Sequence, residues 1–188
     1  ADQFLFRDHW VSLATREILA IGKKDNQKTY FGKDGYLFAI DTIDRTQLAK
    51  NEEFLKEFLQ KVHDQNPDVN STVMIVPTSS AILKDKLPYG APVVDEIPLI
   101  SEVKSSVEGM ASFCDPTAEL QAHAQEEIYY HTDHHWTTKG AYYAFLNAAP
   151  ALGIPNPEEV EYTRYAVTDS FAGTLASKSG FPLKKKDT

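Results

Sequence analysis

Between positions 4 and 19 apolar residues recur as Phe6, Trp10, Leu13 and Ile18 with charges between them, a spacing that predicts an amphipathic helix from Phe4 to Leu19 closing near Gly22. Such a helix needs a partner surface for its apolar face. From Thr29 to Ile40 two β-favouring runs flank Gly32-Lys33-Asp34-Gly35, and the Asp-Gly pair permits the positive φ of a tight turn. This segment predicts a β-hairpin. Leu48, Phe54, Leu55, Phe58, Leu59 and Val62 then keep helical spacing from about Arg45 to His63, with Glu and Lys on the other face, until Asn66-Pro67 ends the pattern.

Thr72-Val-Met-Ile-Val76 is a short β-branched run stopped by Pro77, the pattern of a strand buried on both faces in a parallel sheet. Thr78-Ser79-Ser80 follows at that strand's carboxyl end, where open α/β sheets place their ligands. After a proline-punctuated loop from Leu87 to Pro98, the pattern predicts a helix over Leu99–Ser106 and an extended piece over Met110–Asp115. A helix over Pro116–Gln125, a short strand at Ile128-Tyr129-Tyr130 and a helix over Ala141–Ala149 come next. From Val160 onward the chain reads as an irregular polar tail. Alternating strands and helices define an α/β layer fold. Only two or three sheet strands can be counted, few for a closed doubly wound sheet, so the expectation is a single domain over residues 1–188 whose fold is incomplete.

Composition narrows the function. With 188 residues, 42% of them apolar, the chain is long enough to bury a real core. Its net charge of −8 excludes the basic footprint of a nucleic-acid binder, since Lys and Arg gather only at Lys184, Lys185 and Lys186. No window is apolar enough for a membrane span, and Ala1–Trp10 lacks the layout of a signal peptide. Cys114 stands alone, so neither an internal disulfide nor a cysteine zinc site can form; a half-buried strand position is expected for it.

The chemistry concentrates in one place. His131, Asp133, His134 and His135 fall within a five-residue stretch between the short strand and a helix. Histidine titrates near neutrality, and one held by a carboxylate on such a loop is a natural proton acceptor. Two residues apart, Asp133 and His135 can point to the same side of an extended loop, whereas His134 should point away. The plainer alternative makes Thr132 or Asp133 a helix N-cap with solvent-facing histidines nearby. A metal site using His131, Asp133 and His135 is disfavoured, because adjacent side chains such as His134 and His135 diverge; a distant ligand such as His123 or Asp115 would change that.

The stretch His131-Thr-Asp-His-His-Trp-Thr-Thr-Lys-Gly-Ala-Tyr-Tyr-Ala-Phe145 closely resembles the signature of the DHHW family of bacterial proteins, named for residues Asp133 to Trp136. The Phe31–Phe38 hairpin, the Val76–Ser80 strand end and the Phe171–Gly180 segment resemble that family as well, so most of the chain is covered. The Asp-x-His-Trp core with its upstream Gly-Lys-Asp-Gly hairpin is also similar, more distantly, to the SGNH-hydrolase-like domain of alginate O-acetyltransferases. The resemblance implies an SGNH-hydrolase-like three-layer fold with a central, mostly parallel sheet. It also implies a Ser-His-Asp machine in which Asp133 orients His135 and His135 takes the proton from a serine attacking an ester carbonyl. No cofactor and no metal are called for. The implied partner is carbohydrate or acylated polysaccharide, outside the cell or on its surface.

The nucleophile is the missing member. Asp169-Ser170-Phe171 echoes a Gly-Asp-Ser block, but such a serine needs a buried strand before it and a helix after it. Glu161–Thr168 carries two charges and Ala172–Gly180 reads as loop, so Ser170 is a weak candidate. In the family resembled, the nucleophile-like Asp-Ser block lies farther toward the C-terminus, which with the shortage of strands implies that the domain lacks its C-terminal part and that the serine lies outside this chain. Ser79 and Ser80 are weaker alternatives with capping roles open to them. Trp136 and Thr78 are the candidate substrate contacts, and Tyr129, Tyr130, Tyr142 and Tyr143 could stack on sugar or belong to the core. A non-catalytic polysaccharide-binding module on the same scaffold is the competing reading; there the Asp133 carboxylate and His135 ring would sit in unrelated hydrogen bonds without an adjoining cleft.

Overall fold

The structure, a computed structural model, describes residues 5–159, 162–163, 165–183 and 186–188. Helix α1 (Arg7–Ala20) is followed by an antiparallel hairpin of β1 (Thr29–Phe31) and β2 (Leu37–Ala39), with Tyr30 opposite Phe38. The turn is the one the Asp-Gly pair predicts: Asp34 at φ 55° and Gly35 at φ 87° both take the left-handed conformation. Helix α2 (Arg45–Gln65) starts at Asp44, whose carboxylate accepts the N–H groups of Thr46 and Gln47 at 2.9 and 3.0 Å.

Strand β3 (Thr72–Met74) pairs in parallel with β4 (Ser112–Cys114), joined through α3 (Ser79–Ile82) and α4 (Glu96–Ser106). Helices α5 (Thr117–Ala122), α6 (Thr138–Ala148) and α7 (Thr174–Ser179) complete the α/β fold. Among the described residues each sheet has two strands. Cys114 is buried and its thiol is pushed up by desolvation. No described helix is long and apolar enough to cross a membrane.

The hairpin is the centre of the packing, and strand periodicity explains how. Tyr30, Tyr36 and Phe38 face one way, into a cluster with Ile82, Leu83, Leu120, Ile128 and Tyr129. Phe31 and Leu37 face the other way, onto Leu175 and Ala176 of α7 and the partly buried Ile18 and Leu19 of α1. Gly32 allows the tip to close, since a Cβ there would lie 2.5 Å from the Phe38 ring and 2.7 Å from the Lys86 carbonyl. Lys86 pairs with Asp34 at 2.7 Å across the same junction.

Several expectations are corrected. Phe6, Trp10 and Leu13 are 64%, 58% and 48% exposed, so of its predicted stripe only Ile18 docks α1, together with Leu19 and with Thr15, whose hydroxyl donates to the Ser179 carbonyl. Phe54 and Phe58 of α2 are likewise exposed and only Leu59 is buried. Strand β3 is half-buried with Met74 open to solvent, not covered on both faces. Ile128–Tyr130 forms a single antiparallel bridge, Tyr129 to Trp136, in place of a strand. The tail is not irregular throughout: the stretch read as loop holds α7, whose Leu175, Ala176 and Ser179 are buried. Phe4, Val160, Glu161, Arg164, Lys184 and Lys185 lie outside the described residues.

Candidate active site

Residues 131–135 form an excursion pinched at its base. The Tyr130 N–H donates to the His135 carbonyl at 3.2 Å, and the Thr137 N–H to the Ile128 carbonyl at 2.9 Å. Thr137 then caps α6, accepting the Gly140 N–H, so the expected cap at Thr132 or Asp133 moves to Thr137. Gly140 is required beneath the loop, because a Cβ there would collide with the Ile128 carbonyl. Ahead of the excursion, Tyr129 is fully buried and donates its hydroxyl to the Pro77 carbonyl at 2.6 Å, tying the loop to the end of the β3 segment.

Asp133 points inward and is 3% exposed. Its Oδ1 faces His135 Nδ1 at 2.5 Å and accepts the His135 N–H at 3.0 Å; its Oδ2 accepts the Thr174 N–H at 2.7 Å and the Thr174 hydroxyl at 3.0 Å. Burial alone would raise the Asp133 carboxyl, but the backbone donors of Thr174 and His135, aided by their side chains, outweigh it and hold the group well below the usual carboxylate range. The carboxylate is therefore charged and fixed, while the His135 side chain is 64% exposed. With Nδ1 committed to Asp133, Nε2 is the ring atom that faces outward chemistry.

Gly173 permits the close approach that makes this seat. It lies against Asp133, where a Cβ would come within 2.6 Å of Oδ2 and 2.7 Å of the Thr132 carbonyl. A second carboxylate supports the same loop from the far end of the chain. Asp187, 5% exposed, accepts the His131 N–H at 2.8 Å and the Thr132 N–H at 2.9 Å, faces His131 Nδ1 at 3.0 Å, and accepts the Thr132 hydroxyl at 2.5 Å. Burial raises its carboxyl, yet the side chains and N–H groups of His131 and Thr132 bring it down to about 2. His131 is also stacked on Tyr36 at 3.9 Å between ring centres.

His134 does not point away. Its ring lies 3.9 Å from that of His135, and its Nδ1 is 3.0 Å from the Thr174 hydroxyl. The divergence invoked against a metal is thus corrected: Asp133, His134 and His135 each offer a donor atom, all within 4.8 Å of one another. These donors already serve one another and Thr174. His131 is committed to Asp187, His123 to Glu126 at 2.6 Å, and Asp115 to the start of α5, where it accepts the Thr117 N–H at 3.0 Å.

A cleft of about 250 Å³ opens beside the loop, lined by Asp41, Thr78, Ser79, Ser80, His134 and Lys178. Thr78 is held there by Glu96, to which it donates its N–H at 2.8 Å and its hydroxyl at 2.5 Å. Its Oγ1 also lies 2.8 Å from that of Ser80. Trp136 is half-buried against the core cluster and does not line this cleft. Of the four tyrosines, Tyr129 is core, Tyr130 meets Phe171 edge-on at 5.2 Å, and Tyr143 is stacked on His123. Tyr142, half-buried, packs against Tyr143 and Tyr162. Ser170 is exposed, and its hydroxyl pairs with that of Thr168 at 3.0 Å; no hydrogen bond joins it to His135 among the described residues.

Sequence reasoning missed Thr174 and Asp187. The first lies inside the Phe171–Gly180 segment already singled out, where Gly173-Thr174 was a usable signal. The second had none, since one acid after three lysines reads as a solvated terminus.

An α/β fold that presents a carboxylate-backed histidine on a loop before a helix is consistent with the SGNH hydrolase-like class, and a family match establishes that class. The chain belongs to the family of the SGNH hydrolase-like domain of the acetyltransferase AlgX, whose sequence profile matches residues 29–186. Among solved structures it is similar to a DHHW family protein from Eubacterium siraeum, with 27% identity and a TM-score of 0.62 over 80% of this chain and 51% of that one. It is also similar to the O-acetyltransferase domain of Pseudomonas putida AlgJ, with 19% identity and a TM-score of 0.60 over 79% of this chain and 57% of that one. Bacillus cereus PatB1 with a sulfonyl adduct gives 18% identity and a TM-score of 0.54 over 73% of this chain and 49% of that one. The chain thus spans about half the length of these structures. No match was found among curated proteins.

Proposed function

We propose that this domain serves O-acyl transfer or O-acyl ester hydrolysis on cell-surface or exported carbohydrate, with Asp133 as orienter and His135 as general base. The observation that carries the reading is the 2.5 Å contact between a buried, charged Asp133 and an exposed His135 ring. In the first step a serine Oγ bonds to the acyl carbonyl carbon while His135 Nε2 takes the hydroxyl proton. Collapse of the tetrahedral intermediate expels the donor's oxygen, which recovers that proton, and leaves an acyl-serine. A sugar hydroxyl or water, deprotonated in turn by His135, then bonds to the acyl carbon. Collapse of this second intermediate expels the serine Oγ, which takes the proton back from His135 and leaves the acylated sugar or the free acid. The serine is proposed to come from outside these 188 residues, since Ser170 is exposed beside Thr168 and no hydrogen bond joins it to His135 among the described residues.

His131 is bonded to a carboxylate in the same way, but its side chain is only 16% exposed and lies under Tyr36. Like chemistry with unlike access selects His135. Thr78 is assigned to the substrate cleft with Ser79, Ser80 and His134, and Trp136 to the floor beneath the loop. The similarity to a named O-acetyltransferase domain favours transfer over hydrolysis. The Asp133–His135 bond favours catalysis over a binding module, and the cleft reaches the same loop at His134.

The test is acetyl transfer and p-nitrophenyl acetate hydrolysis by the protein as its host makes it. His135→Ala and Asp133→Asn are each expected to lower kcat by about 10³–10⁴, and Ser170→Ala to leave it unchanged. The 188-residue chain alone is expected to hydrolyse nothing. Hydrolysis by that chain which vanishes in Ser170→Ala would overturn the assignment of the nucleophile, and full activity in His135→Ala would overturn the whole reading.

A further inference from the structure

The two carboxylates under the loop repeat one pattern. Each uses one oxygen for a histidine's backbone N–H and Nδ1, and the other for a threonine's N–H and hydroxyl: His135 and Thr174 on Asp133, His131 and Thr132 on Asp187. The two seats share a joint. Thr132 is fully buried, and because its hydroxyl hydrogen goes to Asp187, its lone pairs are turned to the Gly173 N–H at 2.9 Å. Gly173 is the residue before Thr174, whose N–H and hydroxyl hold Asp133. The Thr132 carbonyl also accepts the Ala176 N–H at 3.1 Å, so the first turn of α7 is docked on Thr132 from two sides. Asp187 is itself clamped by paired backbone bonds with Phe171, at 3.1 and 2.9 Å, just ahead of Gly173.

We propose that Asp187 is a positioning residue for the His135–Asp133 pair, acting through the Thr132 hydroxyl and Gly173 to fix the seat of Asp133. This rests on the reading of His135 as an Asp133-backed base. Without the Asp187 carboxylate, the Thr132 hydroxyl is free to turn its hydrogen toward Gly173, where it would meet an N–H donor instead of accepting from it. An asparagine at 187 has this effect with almost no change of shape. One oxygen still serves His131, but an amide NH₂ faces the Thr132 N–H and offers its own hydrogen to the Thr132 hydroxyl. Asp133 would then keep its charge and lose its registration under the ring.

The experiment is NMR of histidine-¹⁵N-labelled protein, reading the His135 tautomer and the exchange of its Nδ1 proton with water. The unaltered protein is expected to show a hydrogen-bonded Nδ1–H resonance that Asp133→Asn abolishes. In Asp187→Asn, under conditions where far-UV circular dichroism reports a folded chain, that proton is expected to exchange about tenfold faster. Thr132→Val should do the same and Thr132→Ser should restore slow exchange. A purely structural Asp187 would lower Tm and leave the resonance of the folded molecules unmoved, which would overturn the proposal. If Asp187→Asn does not fold, Thr132→Val against Thr132→Ser decides, equal exchange in the two counting against it. A wild-type protein with no Asp133-dependent resonance would instead refute the base assignment itself, so the two failures are distinguishable.

Discussion

Replacing Gly173 by alanine should damage the site through contact, not through backbone strain. Gly173 has φ −77° and ψ −174°, extended geometry that any residue adopts. The new Cβ would sit 2.6 Å from Asp133 Oδ2 and 2.7 Å from the Thr132 carbonyl, well inside van der Waals separation. Neither neighbour has room to retreat: Oδ2 is held by two Thr174 donors, and the carbonyl by the Ala176 N–H. Overpacking of this kind costs ~1–3 kcal/mol. Breaking one charge-assisted bond to Asp133 to make space adds ~1.5–3 kcal/mol. The sum, about 2.5–6 kcal/mol, corresponds to a fall in Tm on the order of 10 °C for a chain of this length. Calorimetry on Gly173→Ala beside Gly22→Ala checks it. The latter has φ 80° and nothing within 4 Å, so it should show only the backbone penalty, about 1 kcal/mol. A Gly173→Ala protein that melts within about 1 °C of the parent would mean that α7 yields freely and that the seat of Asp133 is not rigid.

Asp133 and Asp187 have carboxyls lowered by folding, so their stabilisation is present in full above the unfolded carboxylate value and is lost as pH falls through the folded one. For Asp187, 3.8 brought down to about 2 contributes about 2 kcal/mol; urea midpoints should drop between about pH 4 and pH 2, and that drop should shrink in Asp187→Asn. Thr174→Val removes one donor from Asp133 and the partner of His134, so a carboxyl-carbon NMR titration should find Asp133 moved up toward the ordinary range; an unmoved titration counts against the hydrogen-bond account. Tyr129→Phe strands the buried Pro77 carbonyl and should cost ~1–2 kcal/mol in urea denaturation, with Thr78 resonances shifted. Because the Asp133, His134 and His135 donors serve internal bonds, purified protein should carry no stoichiometric zinc and keep its Tm in chelator; one zinc per chain would reverse that.

What was legible in the sequence was whatever a local rule determines. The hairpin follows from Asp34-Gly35 and from strand alternation, both settled within a dozen residues. The meeting of Asp133 with His135 follows from their spacing on an extended loop. The errors share a cause in tertiary context. Phe6, Trp10, Phe54 and Phe58 keep helical period, yet period states only that a face exists, not that the described fold covers it. His134 was expected to diverge from His135, but Thr174 draws its ring back alongside. The α7 segment, Thr-Leu-Ala-Ser-Lys-Ser, is too short and polar to announce a helix; it exists because Leu175 and Ala176 find the back of the hairpin.

The dependence of this loop on distant residues has a physical basis. An excursion of five residues closed by one bridge cannot satisfy its own backbone, and buried N–H groups must find acceptors. Those of His131, Thr132 and His135 point inward, and all three end on carboxylate oxygens. Neutral carbonyls would have satisfied the same N–H groups. Charged acceptors in a buried setting bind them more strongly, and only a carboxylate has the capacity to take a backbone donor and an imidazole on one oxygen while holding a threonine on the other. The arrangement costs the burial of two negative charges, which desolvation opposes at both Asp133 and Asp187. A fold that only needed to close a loop would gain nothing from that expense. One that must keep an exposed imidazole aligned on a fixed anion, while solvent competes for the ring, requires the anion to be immobile, and immobility is what the eight donor contacts to the two carboxylates supply.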